Sequence, residues 1–142
     1  MPTYDEDVYG WAFEQARFLR QRRFDLLDIE HLADEIEDVG KTELREVVKD
    51  VAVMLAYLLQ WHLLPARRTI GLRFRIEAQR SWIAESLGES PSVLARLDEP
   101  RRFQLIWGKA LARAMTENEL DCFPAECPWT MKEVLSEDWL PA

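Results

Sequence analysis

Residues 25–65 read "DLLDIEHLADEIEDVGKTELREVVKDVAVMLAYLLQWHLLP". Apolar or small residues recur through this stretch at steps of three or four: Ile29, Leu32, Ile36, Gly40, Leu44, Val47, Val51, Leu55, Leu58 and His62. Such spacing keeps side chains on one face of a helix. The stripe crosses Gly40 without a change of phase, and a glycine in a helix interior costs only about 1 kcal/mol. The spacing therefore predicts one helix of roughly 35 residues, about 50 Å long at 1.5 Å per residue, rather than two helices with a turn at Gly40. Asp25 is the expected N-cap, with Phe24 and Ile29 placed for a hydrophobic staple, so the helix covers about residues 26–63. Pro65 ends it. Gly40, on the apolar face, suggests the close approach of another helix.

The remaining segments are helical in the same sense. A first helix is expected from Asp5 to Arg22, with Val8, Ala12, Gln15/Ala16 and Leu19 along its inward face and Tyr9 and Phe13 beside them. "RQRRF" closes it with positive charge, as the C-terminal end of the helix dipole favours. After the connection "ARRTIG", a third helix runs to Leu87 with Ile76, Gln79/Arg80, Ile83 and Leu87 inward. "GESPS" supplies Gly88 as C-cap, Ser90 as N-cap and Pro91 in the first turn. Residues 91–117 form the next helix, interrupted at "DEPRR" and restarted at Pro100. Thr130 and Glu133 have capping-box spacing for a short C-terminal helix. Trp139 and Leu140 anchor the tail behind it. No alternating pattern is long enough to build a sheet. The fold class expected is all-α: a single-domain helical bundle over residues 1–142 around one long helix, with a short C-terminal helix and a packed tail.

Composition narrows the partners. A chain of 142 residues, 48% hydrophobic and 31% charged, can bury a sizeable core. The start, "MPTYDEDVYG", is acidic and carries no basic segment followed by an apolar run, so no secretory signal is read there. The longest apolar run, residues 51–65, contains Gln60 and His62 and falls short of the ~20 residues a bilayer span needs. A soluble, cytoplasmic protein without a membrane partner is the expectation. A net charge of −8 disfavours nucleic acid, whose binding requires a basic face. Cys122 and Cys127 are too few for a four-ligand zinc site, and both are expected to be packed thiols. Fourteen of the 18 basic residues are Arg, which suits bidentate pairing with carboxylates inside the protein.

The richest chemistry lies in Asp28–Asp38, where six carboxylates occur without a Lys or Arg. Helical geometry separates them into rows: Asp28 and Glu35 on one shoulder of the apolar stripe, Glu30 and Glu37 on the other, and His31, Asp34 and Asp38 towards solvent. One metal ion cannot collect all six. The Glu35-x-x-Asp38 spacing is similar to the magnesium-binding element of all-helical nucleotide pyrophosphohydrolases, but those need a second acidic helix, and Asp7/Glu14 supply a poor one. A solvated face with its shoulder carboxylates paired to Arg is the simpler reading, and no metal or other cofactor is expected. Nucleophile elbows, phosphate-cradling glycine loops and Glu-x-x-His pairs are absent from the sequence. The candidate polar cluster is Glu35, Glu37, Asp38 and Arg68, with Arg68 as the cation for one of the three acids. Glu30, Trp61 and His62 rank lower, His62 being read as a hydrogen-bonded core residue.

Four motifs carry a family resemblance. "YDEDVYGWAFEQARFLR" presents Tyr4, Asp7, Trp11, Gln15 and Leu19; "LDIEHLADEIEDVGKTE" follows; "LLQWHLLPARRT" places Pro65 and Arg68; "FPAECPWTMKEVL" closes the chain. Together they resemble the bacterial family catalogued as domain of unknown function 29. Departures are small: Asp34 stands where the motif has its first Glu, and Pro100 interrupts a helix. The resemblance implies an all-helical fold and no established activity. With no complete catalytic constellation in the sequence, a non-catalytic protein-interaction or regulatory module is the leading expectation. Its partner would be a second copy of the chain or another protein. The alternative is a metal-dependent phosphoester or nucleotide hydrolase using residues 28–38.

Overall fold

The computed structural model describes residues 1–120 and 122–142. Among them are six α-helices and no strand: α1 (Val8–Arg20), α2 (Ile29–Leu63), α3 (Ile70–Glu89), α4 (Val93–Leu97), α5 (Pro100–Asn118) and α6 (Met131–Leu135). The all-α expectation and the single long helix both hold; α2 passes through Gly40 unbroken for 35 residues. Gly40 is not a contact point, however. A Cβ added there would meet nothing within 4 Å, so the glycine marks open surface.

Packing divides the chain into two compact units, Met1–Thr42 and Glu43–Ala142. The first part of α2 belongs to one and the remainder to the other.

In the 43–142 unit the core is built on the α2 stripe from Val47 to Leu59, with Leu72, Ile76 and Ile83 of α3, Val93 and Leu97 of α4, and Ile106, Trp107, Ala110 and Ala114 of α5. The α3 side chains recur at four and seven residues, as predicted, and include Arg80, which is 5% exposed. The boundary after α3 falls later than "GESPS" suggests. The helix continues through Gly88 to Glu89, Ser90 is its C-cap, and α4 starts at Val93. Pro100 opens α5 as expected. The Thr130–Glu133 capping box forms at the start of α6. Trp139 and Leu140 pack against the core, with the Trp139 ring 5.7 Å from that of Trp129. Of the two thiols only Cys127 packs there, and burial pushes its pKa up to about 11; Cys122 is exposed.

In the 1–42 unit α1 begins where Asp7 accepts the backbone N–H of Gly10 at 3.0 Å. A Cβ at position 10 would come within 2.5 Å of that carboxylate, so a larger residue there would displace the capping side chain. The helix ends in a Schellman arrangement, with Arg22 N–H bonded to Leu19 and Arg23 N–H to Phe18. Arg22 occupies the left-handed position, φ 58°. The expected Asp25 cap and Phe24–Ile29 staple are replaced: Phe24–Leu26 is a 3-10 turn, and Phe24 and Ile29 are exposed. Asp28 takes the capping role. Its carbonyl accepts Leu32 N–H at 2.9 Å and its Oδ1 lies 3.5 Å from His31 N.

Candidate functional site

The inward face of α1 is Trp11, Gln15 and Phe18. Gln15 is buried as the sequence predicts, but the rest of the face drawn from it is corrected, since Val8, Tyr9, Ala12, Phe13 and Leu19 are all exposed. The helix is apolar on two sides, and the chain covers only one of them. Facing α1, the first turns of α2 present a polar shoulder. The Trp11 indole N–H donates to Asp28 Oδ2 at 3.0 Å, Gln15 Oε1 accepts the Asp28 backbone N–H at 2.7 Å, and the Tyr4 hydroxyl donates to Glu35 at 2.6 Å. Partners at 4/35 and at 11 and 15/28 make residues 4–38 an antiparallel hairpin.

His31, expected towards solvent, belongs to this cluster. Its Nδ1 lies 2.7 Å from Asp28 Oδ2, with the two side chains 36% and 34% exposed. The Tyr4 ring stacks on the imidazole at 4.1 Å, and Trp11 meets Tyr4 edge-on at 5.0 Å. The shared hydrogen bond holds the Asp28 carboxyl below, and the His31 imidazolium above, its ordinary value. The Glu35 carboxylate, stabilised by the tyrosine hydroxyl it accepts from, pushes Tyr4 up to about 12. A carboxylate on Nδ1 orients an imidazole and leaves Nε2 for acid–base or ligand chemistry. Such chemistry needs further groups alongside, and among the described residues no three His, Cys, Asp or Glu side chains come together as a metal-binding group. The contacts among Tyr4, Trp11, Gln15, Asp28, His31 and Glu35 hold the hairpin closed.

The consequence is exposed apolar surface. With the polar shoulder turned inward, the α2 stripe that is buried from Val47 onward is half-buried at Leu32 and bare at Ile29 (68% exposed) and Ile36 (70%), and Val39 beside it is 72% exposed. On α1, Tyr9 and Phe13, whose rings are 4.9 Å apart, are 74% and 63% exposed. Ten of the sixteen exposed large hydrophobic residues fall in the 42 residues of this unit. That density separates an apolar face from the scattered exposure usual on protein surfaces.

The sequence-predicted candidates divide between the units. Glu35 is engaged by Tyr4; Glu37 is exposed, 4.0 Å from Lys41; Asp38 and Glu30 are exposed. Arg68 takes other partners than these acids. Its Nε donates to the Trp61 carbonyl at 2.7 Å and its Nη2 to the Ala142 carbonyl at 3.0 Å, with the guanidinium 5.4 Å above the Trp61 ring. His62 Nδ1 lies 3.0 Å from the same Ala142 oxygen, and its ring meets Trp129 edge-on at 5.7 Å. Trp61, His62 and Arg68 thus form one group that fastens the tail. Sequence reasoning missed Tyr4, Trp11, Gln15 and His31 as a cluster. The i, i+4, i+7 spacing of Trp11, Gln15 and Phe18 was the available signal for the α1 half.

These features define a class: an all-α protein with a tryptophan-rich core and a helical hairpin that leaves apolar residues of both helices exposed. No helix among the described residues is long and apolar enough to cross a membrane. The chain belongs to the family described as Domain of unknown function DUF29, whose model matches residues 3–140. No curated protein and no solved structure matches it.

Proposed function

We propose that this protein is a non-catalytic interaction module that docks a protein partner on the outward face of its N-terminal hairpin. The observation that carries the reading is the change along one stripe of α2, buried at Val47, Val51 and Leu55, half-buried at Leu32 and exposed at Ile29 and Ile36. A helix surface apolar over so wide an arc is normally covered. On α1 a second exposed apolar pair, Tyr9 and Phe13, lies on the side opposite Trp11, Gln15 and Phe18. The clustered ionisable groups support the same reading, since Asp28, His31 and Glu35 are spent on holding the hairpin.

A photo-cross-linking residue placed in cells at Tyr9 or Ile36 tests this against the same probe at Phe74 or Leu105, which are 68% and 62% exposed in the other unit. The expected result is a discrete adduct with one defined protein, identified by mass spectrometry, from Tyr9 and Ile36 only. No adduct, or equal adducts from the control positions, would overturn the reading.

A further inference from the structure

We propose that the occupant of this face is a second copy of the chain, packed antiparallel so that two hairpins form a four-helix arrangement. This inference rests on the interaction reading above and names its partner. Its first support is the small interior of the unit: among residues 1–42 the only buried side chains are Trp11, Gln15 and Phe18. Elements of that size rarely stand on their own core and commonly gain one by association. Pairing two such hairpins through their outward stripes would supply it, in the geometry helical hairpins commonly adopt.

Charge selects the partner and its direction. The turn end of the hairpin mixes Arg17, Arg20, Arg22 and Arg23 with Glu14, Asp25, Asp28 and Glu30, and Arg17 and Arg23 are paired to Glu14 and Asp25, whereas the opposite end carries Asp5, Glu6, Asp7, Glu37 and Asp38 against Lys41. Arg20 and Arg22 have no ion pair among the described residues, and neither have Asp5, Glu6 or Asp38. A parallel pair would set Arg against Arg and acid against acid. A two-fold antiparallel pair sets the unpaired Arg20 and Arg22 of each copy against the acidic end of its mate and keeps the two acidic ends apart, so one surface complements itself, as an isologous interface requires. The unit as a whole, with eleven Asp and Glu against five Lys and Arg, is acidic. That net repulsion is screened beyond roughly 8 Å at physiological salt, while the end-to-end contacts act at shorter range.

The test is sedimentation velocity of the full chain from about 1 to about 100 μM, the range of modest association constants. The expected result is a rise in mass towards twice the monomer. Phe13→Glu/Ile36→Glu should remain monomeric with an unchanged helical circular-dichroism spectrum, since both positions are exposed in the monomer. Two charge variants read the direction. Arg20→Glu/Arg22→Glu and Glu37→Arg/Asp38→Arg should each weaken self-association by about tenfold or more, or ~1.4 kcal/mol, and an equimolar mixture should recover it as a heterodimer. A monomeric wild type overturns the proposal, as does a dimer insensitive to Phe13→Glu/Ile36→Glu or to the charge variants. The cross-linking result keeps the two readings apart: adducts to a different protein from Tyr9 and Ile36 retain the docking face while removing the second copy as its occupant.

Discussion

Asp28 Oδ2 lies 2.7 Å from His31 Nδ1 and also accepts the Trp11 indole N–H at 3.0 Å. One carboxylate thus caps α2, orients the imidazole beneath Tyr4 and ties α1 to α2.

The pair makes hairpin stability depend on pH in a defined direction. Asp28 is shifted below 3.8, so its contribution is present above that value and lost as pH falls through the folded pKa. His31 is shifted above 6.5, so its contribution is complete below that value and lost as pH rises through the folded pKa. The pair is therefore most stabilising between 3.8 and 6.5. Melting temperatures of wild type and His31→Phe, which keeps a ring beneath Tyr4, should differ most inside that window. The difference should shrink once pH passes the raised His31 value. A difference independent of pH would show that His31 acts by packing alone.

Arg22 holds a left-handed φ of 58° at the end of α1. A side chain there costs about 1 kcal/mol that glycine does not. Arg22→Gly should raise the urea midpoint by a corresponding amount, with Arg22→Val lowering it. An unchanged or lowered midpoint for the glycine variant would show that the Arg side chain makes a compensating contact.

Arg80 is buried, with Nε donating to the Val134 carbonyl and Nη1 to the Glu137 carbonyl, both at 3.0 Å. Desolvation lowers its pKa, yet these bonds join α3 to the C-terminal segment. Arg80→Ala strands two carbonyls and opens a cavity, at a cost of about 2–4 kcal/mol. Chemical denaturation should show that loss, together with increased quenching of Trp139 fluorescence as the tail loosens. A loss under about 0.5 kcal/mol, typical of surface changes, would contradict the assigned role.

The helices were legible because their signals are local: the stripe through Gly40, Pro65 and Pro100 as punctuation, the Thr130–Glu133 capping box. What escaped was the choice between faces. Val8–Ala12–Leu19 and Trp11–Gln15–Phe18 are both regular helical stripes, and periodicity does not say which one the same chain covers. The polar cluster escaped because Tyr4 and Glu35 are 31 residues apart. Arg68 was expected to pair with Glu35, Glu37 or Asp38 but bonds the backbone oxygens of Trp61 and Ala142, acceptors that side-chain patterning does not reveal. The clearest surprise is physical. The hairpin buries Trp11 and Phe18 of α1 but meets α2 on its polar shoulder, and so leaves Ile29 and Ile36 of the α2 stripe outside.

Carbene footprinting of the full chain at low and at high protein concentration tests that exposed hairpin face and its use most directly. The account predicts strong labelling of Tyr9, Phe13, Ile36 and Val39 in dilute protein and their selective protection in concentrated protein, with Phe74 and Leu105 labelled equally in both. Protection of the four hairpin residues already in the dilute monomer, or labelling of all six that never changes with concentration, would contradict it.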